Sequence, residues 1–266
     1  MLSRRFAFLD HPGPLAFAHR GGAAEGAENS VAAFERAVEL GYTYLETDAH
    51  ATADGVLVAF HDHTLDRVTD HRGRISELPY RAVRRARIGG VHEIPLLEDL
   101  LGTWPEIRFN IDVKEAAAIA PLAEAIRRTN SYDRVCLTSF SDERLVLARA
   151  AIGREVCSAL GPRGVAALRA AATTSGYGRL LARLSRAGIP CAQVPVGFRG
   201  LRVTTRRLVR TAHAIGMQVH VWTINEPARM EHLLDLGVDG IMTDNVTGLR
   251  EVLDVRGQWY PRGIAA

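Results

Sequence analysis

The chain has 266 residues, 47% hydrophobic and 24% charged, a water-soluble globular composition with room for a large core. Its net charge is only +3, with basic residues scattered among acids, so nothing demands a nucleic-acid partner. No apolar run reaches the roughly 18 residues of a membrane span.

The N-terminal ten residues lack the apolar segment of a signal peptide. Cys136, Cys157 and Cys191 are far apart in apolar runs and read as buried thiols in a reducing compartment, which predicts a cytoplasmic protein. Residues 15–18 predict a short strand ending in His19-Arg20-Gly21-Gly22, where two glycines let the backbone turn tightly or approach a ligand. Glu28-Asn29-Ser30 precedes an amphipathic helix with Val31, Phe34, Val38 and Leu40 on its apolar side, stopped by Gly41. Residues 44–61 read as strand, reversal, strand around Thr52-Ala53-Asp54-Gly55. Glu46 and Asp48 stand two apart in the first of these strands and so share a face. With the reversal centred on residues 53 and 54, His61 falls opposite Glu46. Two acids and an imidazole on one wall point to a cation and a proton-transfer group. Residues 62–93 are charged and turn-rich, and predict a small insertion with short helices whose Arg81, Arg84, Arg85 and Arg87 face solvent.

Residues 94–101 return to a helical pattern, and residues 108–114 alternate as a strand with Asn110, Asp112 and Lys114 on one face. Of 33 basic residues, 32 are Arg and one is Lys114. Its compact ammonium suits a small phosphate pocket where a wide planar guanidinium does not fit. Buried like charges repel unless a cation joins them. Glu46, Asp48 and Asp112 offer oxygen alone, which selects Mg²⁺ or Ca²⁺ over zinc. A helix is predicted over 115–128, followed by strands at 134–138, 155–159, 190–195, 218–223 and 238–242. Helices fall at 142–151, 179–187, 204–214, 226–235 and 245–254, while the Ala-rich residues 161–178 fit either a helix or a loop over the pocket. Eight such strands alternating with helices predict an α/β fold, a (β/α)8 TIM barrel forming one domain over residues 1–266. The pattern leaves open whether residues 56–61 join the barrel wall. Chemistry in such a barrel gathers at the C-terminal ends of the strands, where His19, Glu46, Asp48, Asp112, Lys114, Phe140 and Trp222 fall.

The motifs Ala18-His19-Arg20-Gly21-Gly22, Glu28-Asn29-Ser30, Glu46-Thr47-Asp48 and Thr52-Ala53-Asp54-Gly55 follow one another in order. So do Phe60-His61-Asp62, Thr64-Leu65-Asp66-Arg67-Val68-Thr69, Ile94-Pro95, Asp112-Val113-Lys114, Ser139-Phe140, Trp222-Thr223-Ile224-Asn225 and Asp239-Gly240-Ile241-Met242-Thr243-Asp244. With these the chain resembles the glycerophosphodiester phosphodiesterase family along nearly its whole length. The resemblance implies a barrel that hydrolyses small glycerophosphodiesters to an alcohol and glycerol phosphate. It implies His19 and His61 as an acid–base pair, and Glu46, Asp48 and Asp112 as holders of the divalent ion. Arg20 and Lys114 would grip phosphate, Trp222 and Phe140 would line the pocket, and the insertion would form part of the cleft. Two positions depart from the family pattern: Asp112 stands where Glu is common, and Val246 where Pro often follows the last motif. Two other readings use the same residues, a lyase that stops at a cyclic phosphate and a silent barrel that only binds phosphodiesters. The second would be expected to lose a His, an acid or the Lys, and this chain keeps them all.

Overall fold

The computed structural model describes residues 6–25, 27–173 and 178–261. The chain opens with β1 (Leu15–His19), α1 (Val31–Glu39), β2 (Tyr44–Ala51) and β3 (Leu57–Ala59), then α2 (Tyr80–Val83), β4 (Arg87–Ile88) and β5 (His92–Glu93). The middle runs α3 (Leu97–Thr103), β6 (Arg108–Val113), α4 (Ile119–Arg128), β7 (Val135–Thr138), α5 (Asp142–Ile152), β8 (Cys157–Ser158), α6 (Pro162–Thr173) and α7 (Gly178–Arg186). It ends with β9 (Cys191–Pro195), β10 (Gly197–Phe198), β11 (Leu201–Arg202), α8 (Arg206–His213), β12 (Gln218–Trp222), α9 (Pro227–Leu236), β13 (Gly240–Thr243) and α10 (Val246–Val255).

Eight strands pair in the order β8-β7-β6-β2-β1-β13-β12-β9, every neighbour parallel. A single parallel bridge, Ala159 to Cys191, joins the two ends of this sheet, so the expected (β/α)8 barrel is nearly closed. β3 pairs antiparallel with β2 and lies off the barrel path, so residues 56–61 are not part of the wall.

Period-two alternation builds the layers. Ala16, Ala18, Leu45, Phe109, Ile111 and Val113 point outward into the main core shared with the helices. Their strand neighbours Leu15, Phe17 and Tyr44 point into the barrel, where they meet Cys136, Cys157, Cys191 and Met242. Phe6, Phe8 and Leu9 pack into this interior cluster from the N-terminal segment, and the buried Tyr44 hydroxyl donates to the Phe8 carbonyl at 2.8 Å. Higher up, Asn110 and Gln193 exchange two amide hydrogen bonds across the barrel, at 3.2 and 2.7 Å.

Caps set several helix starts. Ser30 accepts from Ala33 N at the start of α1, Ser141 from Arg144 N in α5, Thr205 from Leu208 N in α8 and Asn245 from Gly248 N in α10. α10 therefore starts on an Asn cap, with Val246 as its first residue. Within α1 the buried face is Ala33, Phe34 and Ala37, whereas Val31, expected on that face, is 40% exposed at the first turn. The Ala-rich stretch resolves in favour of α6 as far as Thr173; residues 174–177 lie outside those described.

The hairpin register differs from the sequence expectation by one residue. Ala49 faces Ala59 and Ala51 faces Leu57, so the ladder centres on Asp54 and His61 does not stand opposite Glu46. The chain after β3 carries its own small core of Val58, Phe60, Leu65, Ile75, Val83, Ala86, Ile88 and Ile94. Arg81, Arg84 and Arg85 are exposed there, as expected of a solvated face, whereas Arg87 is half-buried and donates to the Arg84 and Ala86 carbonyls.

Tyr44→Phe removes one buried donor and leaves the Phe8 carbonyl unpaired, so stability is expected to fall by about 1–3 kcal/mol. A urea denaturation midpoint equal to the parent's would contradict that anchoring role.

Candidate active site

The parallel register, rather than the hairpin, gathers the predicted residues. Across β1 and β2, His19 pairs with Glu46; across β2 and β6, Asp48 pairs with Asp112. All four leave the C-terminal ends of adjacent strands on the inward face. Gly21 and Gly22, both with positive φ, turn the chain after β1, and Arg20 itself sits at φ 53°. That turn brings the Arg20 amide to within 3.2 Å of the Glu46 carboxylate.

His19, Arg20, Glu46, Asp48, His61, Asp112, Lys114, Phe140 and Trp222 all line one cavity of about 480 Å³. His61 reaches it from the end of the hairpin despite the shifted register. Phe140, 66% exposed, packs edge-on against Trp222 with ring centres 5.7 Å apart. Leu160, Pro162, Val165 and Ala166 of the β8–α6 region, with Phe198 and Val203 of the β10–β11 hairpin, extend an apolar wall facing the charged one.

The three acids are almost fully buried: Glu46 is 5% exposed, Asp48 2% and Asp112 4%. The Lys114 ammonium lies between two of them, 2.8 Å from Asp48 Oδ1 and 2.7 Å from Asp112 Oδ2. Arg20 Nε stands 3.5 Å from Asp48 Oδ2, and Asn29 donates to that same oxygen at 3.0 Å. Asp112 Oδ1 is buried without a hydrogen-bond partner. Among the described residues, the tight trios of metal-ligating atoms, mutually within 4.8 Å, are Cys136–Cys157–Cys191 and His50–His63–Glu115. Glu46, Asp48 and Asp112 are more widely spread, with Lys114 between the last two.

Each histidine is held at Nδ1 by a carboxylate. His19 Nδ1 meets Asp244 Oδ1 at 2.6 Å, and its Nε2 lies 3.7 Å from Glu46. His61 Nδ1 meets Asp62 Oδ1 at 2.6 Å. Arg67 ties this dyad to Arg20, the residue that follows His19. It donates to Asp62 at 2.6 Å and to Glu28 at 2.6 and 3.0 Å, and Glu28 accepts from Arg20 at 3.1 Å.

Burial and charge split the titrations. Burial, aided by Asp48, pushes Glu46 up to about 7 despite His19, Arg20 and Lys114. For Asp48, burial is outweighed by Lys114 and Arg20, which hold it below the usual carboxylate range. Asp112 is raised, burial there prevailing over Lys114. Burial opposes the charged form of His19, yet Glu46 and Asp244 lift it above 6.5. For His61 burial wins over Asp48 and Asp62, and the ring sits below 6.5. Asp62 resists its own burial through hydrogen bonds from Arg67 and His61, which bring it down to about 2.

Periodicity gave no role to Asp62, Asp244, Glu28, Arg67 or α6. The first four lie on loops, where spacing carries no facial information, although all stood inside the ordered motifs. Arg169 of α6 lines the cavity with its Nε unpartnered, and no motif marked it.

A profile of the Glycerophosphoryl diester phosphodiesterase family matches residues 19–247. The chain is 43% identical over 254 residues to "Probable glycerophosphodiester phosphodiesterase 2" of Mycobacterium tuberculosis, covering 95% of each. A crystal structure from Silicibacter pomeroyi superimposes with a TM-score of 0.81 at 23% identity, covering 96% of this chain and 99% of that one. An Oleispira antarctica phosphodiesterase, solved in complex with the product sn-glycerol-3-phosphate, gives a TM-score of 0.76 at 23% identity, with 91% and 97% covered.

In the metal-free protein, Asp62→Asn removes a charge that favours protonated His61, so the ring should titrate at still lower pH. NMR titration of the imidazole reads this directly, and an unchanged or higher titration point would contradict the assigned contact.

Proposed function

The chain belongs to the Glycerophosphoryl diester phosphodiesterase family, and from that premise we propose that it hydrolyses glycerophosphodiesters with a divalent cation and two histidines. The observation that carries this reading is the convergence of both histidines, all three acids, Arg20 and Lys114 on one cavity at the strand ends.

The acids fit a divalent cation on three counts. They offer oxygen donors only, Asp112 keeps a buried oxygen unpartnered, and Glu46 is pushed up by burial and by Asp48 beyond what His19, Arg20 and Lys114 offset. Glu46, Asp48 and Asp112 are the residues to hold it, with Mg²⁺ or Ca²⁺ the matching ions. When bound, such an ion polarises the phosphoryl oxygen and offsets charge that builds there.

The rest of the chemistry falls to side chains. A phosphodiester anion repels nucleophiles, and its leaving alkoxide is poor. Arg20 and Lys114 supply cationic donors for the phosphate oxygens, worth most where water is excluded. Lys114 pairs with both Asp48 and Asp112, and with a cation held by those acids its ammonium would be available to the substrate. With Nδ1 of each ring engaged by a carboxylate, His19 and His61 keep Nε2 for proton transfer, one ring accepting the nucleophile's proton and the other protonating the leaving oxygen. Each such group contributes roughly 10²–10⁴-fold. Trp222, Phe140 and the apolar wall position the organic arms of the diester.

The same reading takes the chain as a single barrel domain, with the insertion at about 62–93 contributing Asp62 and Arg67 to the cleft. No helix among the described residues is long and apolar enough to cross a membrane. Three free buried cysteines suit a reducing compartment such as the cytoplasm.

His19→Ala and His61→Ala should each lower turnover of glycerophosphocholine by at least ~10²-fold with an unchanged circular dichroism spectrum. Near-parental turnover in either variant removes that ring from the mechanism. Incubation with EDTA should suppress activity, and added Mg²⁺ or Ca²⁺ should restore it. Full activity after exhaustive chelation would defeat the assignment of Glu46, Asp48 and Asp112.

A further inference from the structure

We propose that Cys136, Cys157 and Cys191 form a second metal site, inside the barrel, for one thiophilic d¹⁰ cation of the zinc or cuprous copper kind. The three Sγ atoms lie within 4.8 Å of one another, and Cys136 and Cys191 are 4.0 Å apart. Three sulfurs bound at about 2.3 Å around one ion in a trigonal plane stand about 4 Å apart. The thiols are therefore already close to coordination spacing. All three are buried and free of disulfides.

Their place in the fold gives the ion a structural task. Cys136, Cys157 and Cys191 come from β7, β8 and β9, three successive staves of the barrel. The β8–β9 seam is the weakest joint of the wall, closed by the Ala159–Cys191 bridge and a hydrogen bond from Leu160 N to Cys191 O at 2.9 Å. An ion shared by the three sulfurs fastens that seam from inside. The phosphodiester chemistry makes no use of these thiols.

A further feature supports a ligand there. A separate cavity of about 260 Å³, with Phe6 and Phe8 in its lining, reaches Cys157 and gives an ion a way in. Asp133, Arg154 and Glu155 also line it, with a net negative charge that favours cations.

Thiolates select soft ions over Mg²⁺ and Ca²⁺, so the two metal sites do not compete. Binding involves no change of oxidation state. Each coordinating thiol releases its proton to solvent as its sulfur–metal bond forms.

The test uses the full chain, reduced and metal-free, titrated with CdCl₂ as the zinc-class probe and, separately, with Cu⁺ under anaerobic conditions. Because the chain has only these three cysteines, a thiolate-to-metal charge-transfer band can arise nowhere else. The expected result is a band that saturates at one ion per chain, with a higher thermal midpoint, for one or both probes. The responding probe identifies the class. The band, and the part of the thermal shift that tracks it, should vanish in Cys136→Ala and in Cys191→Ala. Absence of the band with both probes, saturation at more than one ion per chain, or persistence of the band in either variant would overturn the proposal. The parent titration decides the matter even if a variant fails to fold.

Discussion

Three carboxylates buried at one end of a barrel with a single ammonium between two of them is the constraint on which the site depends. Burying a charge is costly unless it is paired, and removing one partner of a buried pair costs several kcal/mol. Lys114 satisfies one oxygen each of Asp48 and Asp112, and Arg20 adds a weaker contact. Glu46 is left with its backbone donor from Arg20 and a histidine 3.7 Å away, and it responds by holding its proton toward neutral pH. Such a cluster is short of positive charge by design of its strand register. A divalent ion or a cationic contact would supply what is missing.

Because parallel strands pair in register, the same rule that closes the barrel also sets the site. Asp48 stands beside Asp112 and His19 beside Glu46 as direct ladder partners, so their spacing follows from the sheet rather than from loop conformation. The loops contribute orientation instead. Arg67 on the insertion links Asp62 to Glu28, and through Glu28 to Arg20, so a chain of ion pairs runs from the His61 dyad to the residue that follows His19. Those partners are partly exposed, and water discounts their contribution to stability. Their effect is on where His61 stands.

Much of this was readable from residue spacing. Strand parity put Glu46 with Asp48 and Asp112 with Lys114, and eight strands with intervening helices indicated the barrel. The ordered motifs pointed to the family. What failed did so for physical reasons. The hairpin turn is one residue longer than the Thr52–Gly55 signal suggested, which shifts the ladder and breaks the predicted Glu46–His61 pairing. Val31 satisfied the helical period yet sits at the first turn, where the core has not begun. Asp62 and Asp244, each 2.6 Å from a histidine, lie on loops, and only three-dimensional closure brings Asp244 back to His19, 225 residues earlier. Lys114 was expected to grip phosphate, and its ammonium stands between Asp48 and Asp112, a pairing that strand parity alone did not specify.

Anomalous diffraction from crystals grown with Mn²⁺ and glycerol 3-phosphate tests the central claim most directly. The account predicts one Mn²⁺ peak contacting oxygens of Glu46, Asp48 and Asp112, with the ligand phosphate between His19 and His61 and Lys114 turned toward it. Mn²⁺ bound elsewhere while phosphate occupies the cavity, or Lys114 still bridging Asp48 and Asp112 beside the bound product, would contradict it.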